Sequence, residues 1–304
     1  MSVDKNFEQA PPHKYRSSKK VVELLSQEHD LILVHPGDFH PQEAAVSRSF
    51  RYLEPGKLEI IPRKHLPEGD LFIVYGDETS KNPGLDFGRQ FYSSLRNLRR
   101  QERFPYFLND PDAEEATLKD YLAELYEQGD FSVAATFHYL NKENSQRLLE
   151  KHGQLVFKPI FGCGSAGVHK ISSLDELDEL DRLGSEEEVR KNYAIQELLN
   201  GSEIRVIILG GEFLCSREDI NYHPWSDRKT LMTKVGNPTA FQIDTSQRIA
   251  QRLKADLVGV DFIGDKVYEI NGTGTGLIAY DENCRLLFDR TPEFVDYVNR
   301  ILKK

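Results

Sequence analysis

Short apolar runs alternate with stretches of helical period along the first hundred residues. A helix is expected around Lys19–Ser26, strands at Leu31–Val34, Leu58–Ile61 and Leu71–Tyr75, and a longer helix over 85–103 that stops before Pro105. Strands separated by helices predict a small, mostly parallel sheet covered on both faces. At Asn109-Asp110-Pro111 a capping acid, a first-turn proline and the acids Asp112, Glu114 and Glu115 open a helix. Its buried stripe is Leu118, Tyr121, Leu122 and Leu125, and Lys119 lies one position off it. A second helix is expected from near Asn141 to just before Gly153, then strands at Gln154–Lys158 and Val168–Ile171. Ser173-Leu174-Asp175-Glu176 reads as a capping box that opens another helix.

The pattern then turns to longer strands. Tyr193–Leu198 and Glu203–Leu209 are followed by Gly210-Gly211, a two-residue hairpin turn, so Glu212–Arg217 should run back beside its predecessor. Residues 218–244 form a long polar segment without clear periodicity, which reads as a lid. A helix over Gln247–Lys254 precedes two apolar segments, and Thr291-Pro292-Glu293 starts a terminal helix with Phe294, Val295, Val298, Ile301 and Leu302 inward. The division expected from these shifts is a flexible leader at 1–15, a small α/β domain at 16–108, a subdomain at 109–192 and a C-terminal subdomain at 193–304.

Three oxygen ligands interrupt the two apolar segments: Asp261 within Leu257–Ile263, and Glu269 and Asn271 within Val267–Asn271. Carboxylates in apolar strands are costly unless a cation neutralises them. If Ile263 pairs with Val267 across a three-residue turn, Asp261 faces Glu269 about 5 Å away, with Asn271 further along the same face. Two acids so placed suit a hard divalent metal. A two-residue turn would put them on opposite faces and remove the site, leaving an edge hairpin with solvated acids.

Composition narrows the choices. Hydrophobic residues at 39% and charged ones at 29% describe a globular protein, and no apolar run approaches a membrane span. A net charge of -10 argues against an extended nucleic-acid or anionic membrane partner, but a few lysines and a metal can still hold a compact nucleotide. Cys163, Cys215 and Cys284 are too far apart for metal-ligand pairs and fit a reducing cytoplasm. His35 and His40 flank Asp38 and read as polar surface.

Phe161-Gly162-Cys163-Gly164-Ser165-Ala166-Gly167-Val168 contains G-x-G-x-x-G, but a strand rather than a helix follows it. This gives strand, glycine flap, strand, in which backbone N–H groups can lie over phosphates while Lys158 points at them. The catalytic-loop signature of a protein kinase is absent.

The order and spacing of these elements resemble the ATP-grasp superfamily over roughly Asn109 to Leu277, and within it the carboxylate–amine ligases typified by glutathione synthetase and the ribosomal-protein glutamate ligases. The resemblance implies an ATP-grasp fold, two α+β subdomains gripping ATP, preceded by a small α/β domain. It implies that Lys119 and Lys158 bind phosphate and that Gly162, Gly164, Ser165, Ala166 and Gly167 form a mobile flap. Gln196, Glu197, Leu198 and Leu199 correspond to the hinge strand that reads adenine, and Glu203 to the acid on the ribose hydroxyls. Arg217, with Lys158, falls where basic groups meet the transferred phosphate; Arg205 supports the fold or a substrate carboxylate, or forms a structural salt bridge. Asp261, Glu269 and Asn271 match a metal triad for two magnesium ions, manganese being the alternative.

The reaction so implied is phosphorylation of a carboxylate by ATP, then attack of an amine on the acyl phosphate. The expected partners are a small-molecule or peptide carboxylate and an amine acceptor, with a homo-oligomer left open. A kinase on the same fold and a non-catalytic nucleotide binder are the alternatives. The chain departs from the family at Gly272-Thr273-Gly274-Thr275-Gly276, where many such ligases have Ser-Pro-Gly, which leaves the substrate open.

Overall fold

The computed structural model describes residues 16–33, 39–40, 45–46, 49–54, 57–61, 69–73, 85–102, 104–139, 141–161, 167–179, 185–220, 232–272 and 275–303. In the N-terminal part α1 (Arg16–Leu25) leads to β1 (Ile32–Leu33), the pair β2 (Phe39–His40) and β3 (Ala45–Val46), and β4 (Ser49–Glu54) with β5 (Lys57–Ile61). β1, β4 and β5 form an antiparallel sheet in that order. β6 (Leu71–Ile73) pairs in parallel with β7 (Tyr106–Leu108) across α2 (Leu85–Arg100). The mostly parallel sheet expected here is thereby corrected. Two residues between Glu54 and Lys57 leave no room for the crossover that parallel pairing needs. His35 and Asp38 lie outside the described residues.

The single helix expected after Asp110 is two, α3 (Pro111–Glu115) and α4 (Lys119–Gln128). Asp110 caps the first, its Oδ1 accepting from the Asp112 N–H at 2.9 Å. Thr117 Oγ1 donates to the Glu114 carbonyl at 2.7 Å, which offers the backbone a local alternative at the break. Lys119 consequently stands at the first turn of α4, while Leu122 and Leu125 are buried as the stripe predicts.

Next come β8 (Thr136–His138), α5 (Lys142–His152), β9 (Leu155–Pro159), β10 (His169–Ile171), α6 (Leu174–Asp178), α7 (Glu186–Asn192) and β11 (Tyr193–Glu197). The strands form an antiparallel sheet in the order β10-β9-β11-β8. β9 and β10 are the two strands expected around the glycine segment; Gly162, Cys163, Gly164, Ser165 and Ala166 lie outside the described residues. At α6 the Ser173 hydroxyl does accept from the Glu176 N–H, but the Glu176 carboxylate takes the N–H of Ser172, so the expected box is not closed. The reciprocal box is at Ser185 and Glu188 and opens α7.

A five-stranded antiparallel sheet, β14-β13-β12-β15-β16, holds the rest. It comprises β12 (Glu203–Leu209), β13 (Glu212–Ile220), β14 (Met232–Val235), β15 (Leu257–Ile263) and β16 (Lys266–Asn271), with α8 (Ala240–Leu253) between β14 and β15. The change of sheet thus falls after β11, not before it at the 192/193 boundary read from the sequence. Gly210 and Gly211 both have positive φ, 59° and 85°, as the turn between β12 and β13 requires. Within 218–244 the described parts are structured: β13 runs on to Ile220, β14 is an edge strand, and a capping box at Thr239 and Gln242 opens α8 earlier than expected; residues 221–231 lie outside the described residues. β17 (Ile278–Tyr280) and β18 (Leu286–Asp289) form a hairpin before α9 (Thr291–Leu302).

Period two divides the five-stranded sheet into a core face and a polar face. Val206 and Ile208 of β12 and Val258, Val260 and Phe262 of β15 pack with Leu122 and Leu125 of α4 and Ile249, Ala250 and Leu253 of α8. On the other face lie the residues between them. β16 also bonds the chain ahead of β8: Val267 N–H to Ser132 O at 2.8 Å and Ala134 N–H to Val267 O at 2.9 Å. The two sheets are joined along that seam. α1 closes on α9, with Val21 and Leu25 in one cluster with Phe294 and Val298. Among the described residues no helix is long and apolar enough to cross a membrane.

Candidate active site

Ile263 pairs with Lys266, so the β15–β16 turn is the two-residue Gly264-Asp265, with Gly264 at φ 60°. The three-residue turn is therefore corrected. By simple alternation the two acids would now oppose each other across the sheet. A β-bulge prevents this. The register shifts between Asp261 and Phe262, Tyr268 is the extra residue on β16, and Asp261 faces Glu269 after all. Asn271 pairs with Gly259, two residues along each strand.

The polar face carries a row across four strands, since Arg217 pairs with Arg205, Arg205 with Asp261, and Asp261 with Glu269. Arg205 grips Asp261 with two hydrogen bonds of 2.6 Å, Nε to Oδ1 and Nη2 to Oδ2, and Asn271 Nδ2 donates to Asp261 Oδ2 at 3.0 Å. Lys119 Nζ lies 3.5 Å from Glu269 Oε1. One ladder over, Glu203 pairs with Asp219 on one side and Ile263 on the other. Glu203 is buried, and its Oε2 has no hydrogen-bond partner among the described residues.

Burial dominates the electrostatics. It raises Asp261 despite the opposing pull of Arg205, and holds Glu203 well above the usual carboxylate range, with Asp261 adding to the effect. For Glu269 burial also pushes upward, but Lys119, Lys158 and Arg205 together outweigh it and the net shift is down. Lys158 is lowered to about 8 by burial, against the attraction of Glu269. Arg217 is lowered by burial and then by Arg205. Three acidic groups, Asp261, Glu203 and Glu269, and four cationic side chains, Lys119, Lys158, Arg205 and Arg217, thus share one water-poor space.

From the four-stranded sheet, Lys158 of β9 reaches this row with its ammonium 3.5 Å from the centre of the Tyr268 ring. Gln196 of β11 donates to Thr136 Oγ1 at 2.9 Å and to the Tyr268 carbonyl at 3.1 Å, and its buried Oε1 has no partner among the described residues. The Glu197 carboxylate accepts from the Ala135 N–H at 2.8 Å and the Lys266 ammonium at 2.5 Å, tying the end of β11 to the β15–β16 hairpin. The Leu198 N–H donates to Gln154 O at 3.1 Å, and Leu199 packs on Ala134, Ile263 and Tyr268. Gly167, at φ 71°, sits against Pro159; residues 162–166 before it lie outside the described residues.

The segment after Asn271 is anchored at both ends; Thr273 and Gly274 lie outside the described residues. A Cβ on Gly272 would fall 2.2 Å from Glu114 Oε2, so the Glu114 carboxylate abuts this backbone. Asn109 Nδ2 donates to Glu114 Oε1 at 2.7 Å and bonds both the N–H and the C=O of Leu257. Thr275 is fully buried, its carbonyl accepts from Arg205 Nη1 at 3.3 Å, and Gly259 leaves room for it. Arg217 Nη1 would lie 3.4 Å from a Cβ on Gly276. Glu114, Asn109 and Tyr268 were not singled out from the sequence. The acids after Asp110 read there as helix-opening charge, and a bulge has no local signature.

Among the described residues no three His, Cys, Asp or Glu side chains form a metal cluster. The candidate set instead combines two carboxylates with the amide of Asn271, whose nitrogen is used by Asp261 and whose oxygen is therefore the ligand atom on offer. An all-oxygen set of this kind fits a hard divalent cation.

Residues 128–282, just over half of the chain, match the family model described as prokaryotic glutathione synthetase, ATP-grasp domain, and the chain belongs to this family of ATP-grasp ligases. No curated protein sequence matches it. Among solved structures it is similar to the ATP-grasp ligase PsnB complexed with minimal precursor, Mg and ADP, at 16% identity and TM-score 0.60, with 96% of each chain covered. It is also similar to D-alanine–D-alanine ligase from Bacillus anthracis, at 17% identity and TM-score 0.53, covering 77% of this chain and 79% of that one. A third likeness is the macrocyclase MdnC bound with precursor peptide MdnA from Microcystis aeruginosa MRC, at 10% identity and TM-score 0.51, covering 86% and 89%. At these identities the likenesses establish the ATP-grasp fold.

Proposed function

We propose that the protein is an ADP-forming, ATP-dependent carboxylate–amine ligase acting through an acyl phosphate on an amino acid, a peptide or a small acid. The observation that carries this reading is the row Arg217, Arg205, Asp261 and Glu269 on one sheet face, with Lys158 and Lys119 brought to it from other elements. Asp261, Glu269 and Asn271 would hold magnesium, which when bound supplies a Lewis acid for phosphoryl oxygens. Lys119, Lys158 and Arg217 would offset the charge that develops on the transferred group, the main source of catalysis in phosphoryl transfer. Gln196 Oε1 and Glu203 Oε2, buried acceptors without donors among the described residues, suit the adenine amine and a ribose hydroxyl.

Arg205 has a different task in this reading. Bound to Asp261 and to the Thr275 carbonyl, it fixes the metal aspartate relative to the loop where the substrate is chosen. The two subdomains, the first carrying the sheet that ends with β11 and the second the five-stranded sheet, would close over ATP and exclude water from the acyl phosphate. That PsnB and MdnC are seen with precursor peptides supports a peptide as one class of substrate here. A cytoplasmic location completes the proposal, on the spacing of the three cysteines.

The test is product analysis with ATP, magnesium and pools of amino acids, peptides and metabolite acids. ADP and phosphate released together with a new amide support the ligase. A phosphorylated product without amide indicates a kinase, and AMP with pyrophosphate contradicts the scheme.

A further inference from the structure

The bulge that turns Asp261 toward Glu269 does so by inserting Tyr268, and that residue faces inward rather than into the ladder. Tyr268 is fully buried against Ala134, Ile263 and Leu199, which come from the seam, from β15 and from the chain after β11. Its carbonyl accepts from Gln196 of β11, and its ring lies under the ammonium of Lys158 on β9 at 3.5 Å from the ring centre. One residue therefore touches both strands of the facing sheet that carry nucleotide candidates. It also adjoins Glu269 in sequence, so any shift of the ring moves Lys158 relative to that carboxylate.

We propose that Tyr268 is the positioning residue for Lys158: its ring face carries the ammonium and sets where that charge stands beside Glu269. A lysine stem has four rotatable bonds, and a buried cation needs an attractive surface to select one rotamer. The negative face of an aromatic ring supplies one, and the contact is directional in a way that burial alone is not. A leucine would fill much of the space but present no such face; a phenylalanine would keep it. The consequence for phosphate binding rests on the ATP reading above, whereas the contact itself does not.

The experiment labels lysine at Cε with carbon-13 and reads the nucleotide-free protein by NMR, assigning Lys158 by the resonance lost in Lys158→Arg. Its ε-methylene protons are expected upfield of the other lysines through the ring current, to stay there in Tyr268→Phe and to return in Tyr268→Leu. An unshifted Lys158 in the wild-type chain overturns the proposal whether or not ATP binds. Calorimetry then compares ATP with adenosine: Tyr268→Leu is expected to weaken ATP on the order of tenfold, within the span of a buried cation–ring contact, and adenosine less than about twofold. Equal losses for both ligands, or a Tyr268→Phe protein as impaired as Tyr268→Leu, mean that the ring only fills the core and overturn the proposal. Should the leucine variant not fold, the wild-type and phenylalanine resonances decide alone. A wild-type protein that binds neither ligand overturns the ATP reading while the resonance still judges the contact.

Discussion

Arg205 and Asp261 form a bidentate pair in the middle strands of the five-stranded sheet, Nε to Oδ1 and Nη2 to Oδ2 at 2.6 Å each. Asp261 is fully buried. A buried carboxylate left without its cation is strongly destabilising, by about 3–5 kcal/mol when one partner of such a pair is removed. Arg205→Ala should therefore lower the unfolding free energy in urea by about that amount. Arg205→Lys should recover only part of it, because a point charge cannot reproduce two parallel bonds and also reach the Thr275 carbonyl. An alanine variant as stable as the wild type would contradict the pairing.

Gly272→Ala would place a methyl group against a carboxylate that cannot retreat. Glu114 is held by Asn109, and Asn109 is fixed by both backbone groups of Leu257. The cost expected from overpacking is about 1–3 kcal/mol, read as a lower denaturation midpoint at unchanged m-value. Shortening the obstacle in the double variant Gly272→Ala, Glu114→Asp should recover part of the loss. If the double variant is no more stable than Gly272→Ala alone, the glutamate is not what limits this position.

The two acids, the amide and Lys158 could be singled out in the sequence because each is a polar residue in a strand where pattern calls for something apolar, whereas Lys119, off the buried stripe of its helix, came from the family resemblance alone. The sequence did not carry how the acids meet. Simple alternation across the two-residue turn at Gly264-Asp265 separates Asp261 from Glu269, and only the bulge at Tyr268 reunites them. A bulge is chosen by packing across the seam to Ser132 and Ala134, far away in sequence. The polar stretch before α8 was misread for a similar reason. Met232–Val235 is an exposed edge strand, which gains its identity from pairing with β13 and has little hydrophobic periodicity of its own.

Cys215 gives a pH-dependent prediction. Burial pushes its thiol up to about 12, against the opposing influence of Arg290. In the unfolded chain a thiol ionises near pH 9. Between about 9 and 12 the unfolded state thus loses a proton that the native state keeps, so this group makes stability fall as pH rises, by at most about 1.4 kcal/mol per pH unit. Cys215→Ala should flatten that part of the stability curve. Iodoacetamide at pH 8 should leave Cys215 unmodified in the native protein while labelling the exposed Cys284, as peptide mass mapping would read. Rapid labelling of Cys215 would contradict its burial.

Activation of a carboxylate as an acyl phosphate at the Asp261–Glu269 face, as proposed above, is tested most directly by hydroxylamine trapping. With ATP, magnesium, hydroxylamine and a pool of amino acids, peptides and small acids, the wild-type protein should form a hydroxamate and one ADP for each hydroxamate. Glu269→Gln, which keeps the shape of the side chain and loses its charge, should unfold at nearly the wild-type temperature yet form hydroxamate about a hundred- to a thousandfold more slowly. Hydroxamate formation at the wild-type rate in Glu269→Gln, or AMP in place of ADP, would contradict the account.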